Sequence, residues 1–402
     1  MKNIKKVILV IIAGMLVMGS TAFYQITQIN DNDPSIEVYT FNDQPVTYQH
    51  AVIQHDLLGF IPYEKKVDQD DIIRYETNQI QNELTVSDMT QVTITAPDQS
   101  TQSFTGSKTL TFEKDGEYKI EMDDRFENGS AVYYVFFIEV LIRPQISISN
   151  LSPLQGEILI IDITNLPLDS TILVTSPFTP SSIAQIDHEA RFYLPMEYKA
   201  VAKSYPLTIT LNDKSYDYVL AVQAYDFHKD YFTIDQDILD HTTGNPAASI
   251  EFKTLIYPLY DTSEPTEYWS GNFMLPVQNA DISSGFGDMR FINGSTTPSR
   301  HNGIDYAIDC GIDVVASNAG KVDFAQLLIL TGNTVVIDHG LGLKTYYEHM
   351  QDLAVSQGDM VEKGQLIGHV GKTGVATGCH LHFQAMIKDQ VINPAFLYEI
   401  TQ

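Results

Sequence analysis

The chain has 402 residues, more than one ordinary domain and a length that two or three would fill. Apolar residues make up 44%, with 22 Tyr and 19 Phe, enough for several sizeable cores. A formal charge of -27 with no basic stripe to offset it excludes nucleic acid as a partner, because phosphate would be repelled. Residues 271–402 carry 13 acidic and 7 basic side chains, so most of the negative charge lies upstream of them.

Lys2, Lys5 and Lys6 precede an apolar run from Val7 to Ala22 that continues into Phe23 and Tyr24. A positive region ahead of an apolar one is expected to direct export. A run of roughly 18 residues also suffices for a signal anchor with its positive side in the cytoplasm. Ser20-Thr21-Ala22 is equally a small-x-small cleavage site, so residues 1–25 are expected to be a signal peptide or a membrane anchor. A buried helix of a cytosolic domain fits the terminal position and the lysines poorly. No cysteine follows the run, which excludes a lipid anchor there.

Residues 26–83 are charge-rich, mixed in period and punctuated by Pro34, Pro45 and Pro62, and are expected to form a spacer. Within it, Asp71 to Glu76 reads as a strand or as a short helix. From 84 to 143 the pattern is β: Val92 and Ile94 alternate with threonines, Tyr118 and Ile120 follow a Lys114-Asp115-Gly116 turn, and Tyr133 to Ile142 is a long aromatic and β-branched run. This spacing predicts a small sandwich of the immunoglobulin-like kind. Residues 144–236 are expected to form a second β domain, closed by the alternating segment Phe227 to Ile234. Residues 237–271, rich in Thr, Asn, Pro and Glu, read as a linker in which Ile250 to Leu259 could pair as a strand. From 272 to 402, short β pieces separated by turn glycines predict an antiparallel β domain with a groove. The fold class expected is mainly β: two small sandwich-like accessory domains followed by an antiparallel β domain of the duplicated hybrid motif type.

Three places in the last domain concentrate groups able to hold a metal or move protons: His301 to Asp305, Tyr346 to His349, and Gly378 to His382. A lone histidine is more often a satisfied polar residue than a ligand, and His339 and His369 read as turn or surface histidines. Geometry strengthens the others. On a strand, residues two apart share a face, so His380 and His382 stand side by side while Leu381 points into the core. His301 and Asp305, four apart, share a face if extended, and Gly303 between them permits close backbone approach. Two imidazoles and one carboxylate make a three-ligand set for catalytic zinc with a fourth position for water. Tyr347, two residues before His349, is expected on the same strand face, either donating a hydrogen bond near substrate or simply packing.

The region from about Leu275 to Leu397 resembles the lysostaphin-type (LytM-like) family of zinc peptidoglycan endopeptidases. His301 and Asp305 stand where the family has His-x-x-x-Asp, Tyr347 and His349 where it has Tyr-x-His, and His380 and His382 where it has His-x-His within Thr377 to Phe383. Ser284 to Gly287, Gly332 to Gly340 and Val355 to Gly368 match the connecting sequence as well. The resemblance implies that His301, Asp305 and His382 bind Zn2+ and that His349 and His380 are catalytic histidines that do not. It implies an enzyme that cuts peptide cross-links or bridges of peptidoglycan at the outer face of the membrane or in the cell wall, touching the membrane only if the amino-terminal segment is kept. The alternatives are a non-catalytic wall-binding or morphogenesis protein and a general secreted metalloprotease. Cys379 stands where the family usually has proline, and Met350 where it usually has leucine. Cys310 and Cys379 flank the two ligand-bearing segments, which must converge, so a disulfide or a close reduced pair is expected there.

Overall fold

A computed structural model describes residues 39–46, 50–57, 61–68, 73–125 and 131–399. The segment Val7 to Tyr24, on which the export expectation rests, lies outside them. Among the described residues no helix is long and apolar enough to cross a membrane, and on that finding the expected transmembrane signal anchor is withdrawn. The described residues are predominantly β and fall into two compact units, one ending at Pro144 with Asn165–Leu168 added, the other comprising Gln145–Thr164 and Asp169 onward.

In the first unit the long strands Gly116–Arg125 and Ala131–Val140 pair antiparallel along their whole length. Their alternate residues are buried, as the period-two pattern of the sequence requires. A smaller sheet runs in the order Gln44–Val46, Tyr39–Phe41, Gln81–Thr85, Lys108–Thr111. Both sheets share one core, in which Tyr39, Phe41 and Leu84 meet Val92, Ile120 and Phe136. Tyr39–Phe41, Ile73–Thr77 and Gln81–Thr85 therefore supply strands and core residues where a spacer was expected. Ile73–Thr77 is a strand, paired parallel to Ala131–Val140. Its isolated Tyr75, buried in that core, is too little signal to mark a strand flanked by charge.

In the second unit, Gln145–Ile148, Ile158–Thr164, Glu189–Pro195 and Ala184–Ile186 form one sheet, and Ile172–Thr175, Ser204–Leu211 and Lys214–Ala221 another. The expected closing segment does not belong to either. Its strand β1 (Lys229–Phe232) pairs parallel with β3 (Met289–Ile292), close to the candidate site. Parallel partners lie far apart in sequence and leave no local turn signal.

The main sheet of the carboxy-terminal region contains β2 (Asp281–Ser284), β4 (Gly303–Ala307), β5 (Gly320–Leu328), β6 (Gly332–Gly340), β7 (Leu343–Met350) and β8 (His380–Ile387). Their order is β2-β4-β8-β7-β6-β5, every pair antiparallel. One face carries Val335, Ile337, Tyr347, Leu381 and Phe383, which pack with Val314 and Ile367 of a smaller sheet. The other face carries Phe324, Val336, Tyr346 and Met386.

That second face is covered by what the sequence offers as a linker. Residues 236–261 form α1 (Gln236–His241), α2 (Pro246–Leu255) and α3 (Pro258–Asp261). Helix α2 starts where Asn245 caps it, its side-chain oxygen accepting from the Ala247 amide at 3.0 Å, with Pro246 at the first helical position. This start signal decides against a strand over Ile250 to Leu259. Ile256 is buried beneath the helices, with Phe252, Leu259 and Tyr260 packed around it. The strap that follows pairs with the edge of the β6–β7 hairpin: the Tyr268 amide donates to the His339 carbonyl and the Leu341 amide to that of Glu264, both at 2.9 Å. Ile256→Ala should therefore lower the unfolding free energy of this unit by about 2–4 kcal/mol, the cost of a large-to-small change in a filled core. Urea denaturation measures it, and a change below about 0.5 kcal/mol would mean that the helices do not seal this face.

Candidate metal centre

The pairing of β4 with β8 places Asp305 directly opposite His382. His301, just ahead of β4, is held by backbone bonds on both sides, its amide donating to the Asp288 carbonyl and its carbonyl accepting from the Gly287 amide. Three ligand atoms converge: His301 Nε2 and His382 Nδ1 are 2.9 Å apart, His382 Nδ1 and Asp305 Oδ1 2.8 Å, and His301 Nε2 and Asp305 Oδ1 3.0 Å. All three residues are buried, and they form a group able to hold a metal ion. Four-coordinate zinc with ligand bonds of about 2.0–2.1 Å spaces its ligand atoms by roughly 3.4 Å, so an opening of a few tenths of an ångström accommodates it. Gly303 is required by the same approach: a Cβ there would lie 2.3 Å from the Phe383 carbonyl and 2.9 Å from His382 Nε2.

His349 and His380 complete the cluster, their ring centroids 4.9 Å apart, with His349 6.1 Å from His382. A carbonyl oxygen can only accept, so the nitrogen that meets one must carry the proton. His301 Nδ1 meets the Gly285 carbonyl at 2.7 Å, His349 Nδ1 that of Thr373 at 2.8 Å, and His380 Nδ1 that of Gly378 at 2.9 Å. In the neutral form each therefore keeps its Nε2 lone pair. For His301 that pair faces the other ligands; for His380, Nε2 lies 4.0 Å from Asp305 Oδ1. Such outer bonds fix both tautomer and ring orientation.

Residues 299–394 match the model of Peptidase family M23. The chain is 36% identical over 122 residues to the peptidoglycan DD-endopeptidase ShyB of Vibrio cholerae, covering 29% of this chain and 28% of that protein. It is 41% identical over 119 residues to the DD-carboxypeptidase/endopeptidase Mpg of Neisseria meningitidis, covering 30% and 27%. The matched part thus spans under a third of each of these relatives. Among solved structures, the catalytic domain of lysostaphin from Staphylococcus simulans is 29% identical, covering 30% of this chain and 94% of that one, at a TM-score of 0.28. Residues 299–394 therefore make up an M23-type peptidase domain.

The strand that bears His349 departs from simple alternation. Tyr347, opposite Phe383, points into the core, where its hydroxyl accepts from the Ser317 amide at 2.8 Å. It is a packing residue and does not share a face with His349. The β6–β7 register shifts between Asn333 and Val335, and His349 adopts a left-handed φ of 63°. A bulge with a residue in this region re-aims the side chain, and here it turns His349 out of the core and toward His380. His339 is not a surface histidine either: it is buried, with Nδ1 on the Ala319 carbonyl and Nε2 on the Thr345 hydroxyl. His369 stays partly exposed, with Nδ1 2.7 Å from Asp352. The Cys310–Cys379 pair is a disulfide, with its Cα atoms 5.2 Å apart, joining the chain beyond β4 to the residue before β8. Closing a 69-residue separation in this way stabilises by about 4 kcal/mol in a chain-entropy account.

Two charged residues adjoin the ligand set: Arg290, which no sequence signal marks, and Glu348, which lies inside the Tyr346 to His349 segment. Arg290 on β3 donates to Asp305 Oδ2 and lies over the Phe232 ring of β1, 5.3 Å from its centroid. Glu348 sits opposite His382 on the adjoining strand. Burial lowers His301 to about 4, against the pull of Asp305, and lowers His349 to about 3, helped by His380 and His382. Burial would raise Asp305, but hydrogen bonds from His301 and His382 outweigh it and hold the carboxyl well below its usual range.

Glu348 has no such donors, and burial lifts it to about 7. A carboxyl raised in the fold is neutral in both states at low pH. It then weakens the fold as pH rises from its unfolded value through 7, because the native state must give up a proton it holds more tightly. For the metal-free chain, Glu348→Gln should therefore add on the order of 2–3 kcal/mol at pH 8, with most of the gain gone at pH 5. Urea denaturation at the two pH values checks this, and an equal effect at both would contradict it.

Proposed function

We propose that the chain is a zinc-dependent endopeptidase that hydrolyses peptide cross-links or bridges of bacterial peptidoglycan. One observation carries the reading: three ligand atoms converge beside two further histidines whose Nε2 lone pairs are left free by backbone acceptors. His301 Nε2, Asp305 Oδ1 and His382 Nδ1 would hold the ion, with His349 and His380 as the catalytic histidines. When bound, zinc supplies Lewis acidity toward a carbonyl oxygen and toward water. His349 and His380 would take the proton from the attacking water at Nε2, return it to the leaving amine, and stabilise the developing oxyanion. Burial keeps His349 neutral at working pH, so that it is ready to accept. An antiparallel sheet floor suits an extended peptide.

The substrate follows from the likeness to ShyB and Mpg, whose names state action on peptidoglycan or on DD-peptide bonds. A disulfide in a chain with two cysteines fits an exported protein that works in the cell envelope. The upstream sheets would be sandwich-like accessory domains, and the M23 domain would follow the duplicated hybrid motif plan.

Ligand and proton-handling residues should fail differently. His382→Ala or His301→Ala should abolish both bound zinc and digestion of purified wall sacculi. His349→Ala or His380→Ala should keep one zinc per chain and slow digestion by roughly 10²-fold or more. Metal analysis beside sacculus digestion, with and without chelator, reads both. Near-normal digestion by His349→Ala and His380→Ala would refute the assignment, as would chelator-resistant digestion.

A further inference from the structure

A carboxylate that binds a metal has two oxygens, and what holds the second one decides whether it offers one ligand atom or two. Asp305 turns Oδ1 toward His301 Nε2 and His382 Nδ1, at 3.0 and 2.8 Å. Its Oδ2 is taken by Arg290, whose Nη2 donates to it. The same guanidinium is engaged a second time, its Nε donating to the Ser284 hydroxyl at 3.3 Å. That hydroxyl in turn donates to Asp230 Oδ2 at 2.8 Å. A hydroxyl has one proton to give, so by giving it to Asp230, Ser284 keeps a lone pair for Arg290.

The origin of these residues makes the arrangement more than a local ion pair. Asp230, Ser284 and Arg290 all precede the residues that match the M23 model. Asp230 lies on β1 and is the register partner of Arg290 in the parallel β1–β3 pairing. Phe232, on the same strand, lies under the guanidinium, 5.3 Å from ring centroid to Cζ. A planar fork held at two acceptors and against a ring has little freedom left, and a lysine, as a point charge, could not be held in this way. The Arg290 and Asp305 side chains are 22% and 11% exposed, so water competes weakly for Oδ2. The upstream segment also braces the loop behind His301. The His228 amide donates to Asp288 Oδ1 at 2.9 Å, the Gly285 amide donates to Asp288 Oδ2 at 2.7 Å, and the Gly285 carbonyl accepts from His301 Nδ1.

We propose that Arg290 is a positioning residue of the metal centre that holds Asp305 as a one-oxygen ligand, and that Asp230 and Ser284 set Arg290 from outside the M23-matched residues. The proposal rests on the metal-centre reading and is independent of which substrate is cut.

The probe is cobalt(II) loaded into the full chain in place of zinc, because its visible absorption is intense with four ligands and weak with more. The wild type should show the intense band. In Arg290→Met, Oδ2 is released and both Asp305 oxygens become available, so the band should weaken several-fold at one cobalt per chain. Asp230→Ala and Ser284→Ala should weaken it in the same direction by less. Loosened packing alone would leave the number of ligands, and hence the band, unchanged. Zinc-loaded Arg290→Met should digest sacculi about tenfold more slowly or worse, the scale of a lost outer-shell contact. An unchanged band in Arg290→Met overturns the positioning role, and an unchanged band in both Asp230→Ala and Ser284→Ala overturns its upstream origin. Those two milder variants decide the matter if Arg290→Met does not fold. Spectrum and digestion also fail separately. The predicted weakening in a protein whose wild type digests no sacculi upholds the positioning role and counts against the peptidase reading. Wild-type digestion by Arg290→Met with an unchanged band overturns the positioning role alone.

Discussion

The candidate site depends on one register, the antiparallel pairing in which Asp305 faces His382 across β4 and β8. A slip of one residue would send every side chain of one strand to the opposite face and dissolve the cluster. Several features hold that register. Gly303 admits the Phe383 carbonyl at a distance no Cβ would tolerate. Leu381 and Phe383 are buried on the far face, which makes the alternation of β8 costly to invert. The disulfide joins the two strands just beyond their last paired residues, Ala307 and His380. It restrains the segment before His380.

Around this register the histidines are sorted by what their second nitrogens meet. Backbone carbonyls of Gly285, Thr373 and Gly378 accept a hydrogen bond from Nδ1–H of three of them. The rings are thereby oriented before any ion or substrate arrives, and little reorganisation is left for the reaction. The left-handed backbone at His349 is part of the same arrangement. A non-glycine residue there costs on the order of 1 kcal/mol or more. The bond from the His349 amide to the Thr331 carbonyl at 2.8 Å helps to offset it.

Much of the site was legible in the sequence because its chemistry needs particular residue types at short spacings. His301, Asp305, His380 and His382 follow from strand periodicity, and the structure brings them together. Periodicity misled at Tyr347 and His349, where a bulge breaks the alternation and sends the two to different faces. It was silent on Arg290, whose value lies in a contact with Asp305 from another strand, and on Glu348, whose role is set by a strand 34 residues away in sequence. Composition misled over residues 237–271. Their polar and proline content reads as a linker, yet the Asn245-Pro246 start signal and the apolar Phe252, Ile256 and Leu259 build a helical cover. The strands Ile73–Thr77 and Gln81–Thr85 were hidden for a related reason: each buries only one or two residues, and their partners are distant.

The central claim is that His301, Asp305 and His382 together make a zinc site of two imidazoles and one carboxylate. Zinc-edge X-ray absorption of the purified, zinc-loaded chain measures this without reference to activity. The account predicts four light-atom neighbours at about 2.0–2.1 Å, with outer-shell scattering from two imidazole rings and no sulfur. A sulfur neighbour near 2.3 Å, or scattering that requires three or more imidazoles, would contradict it.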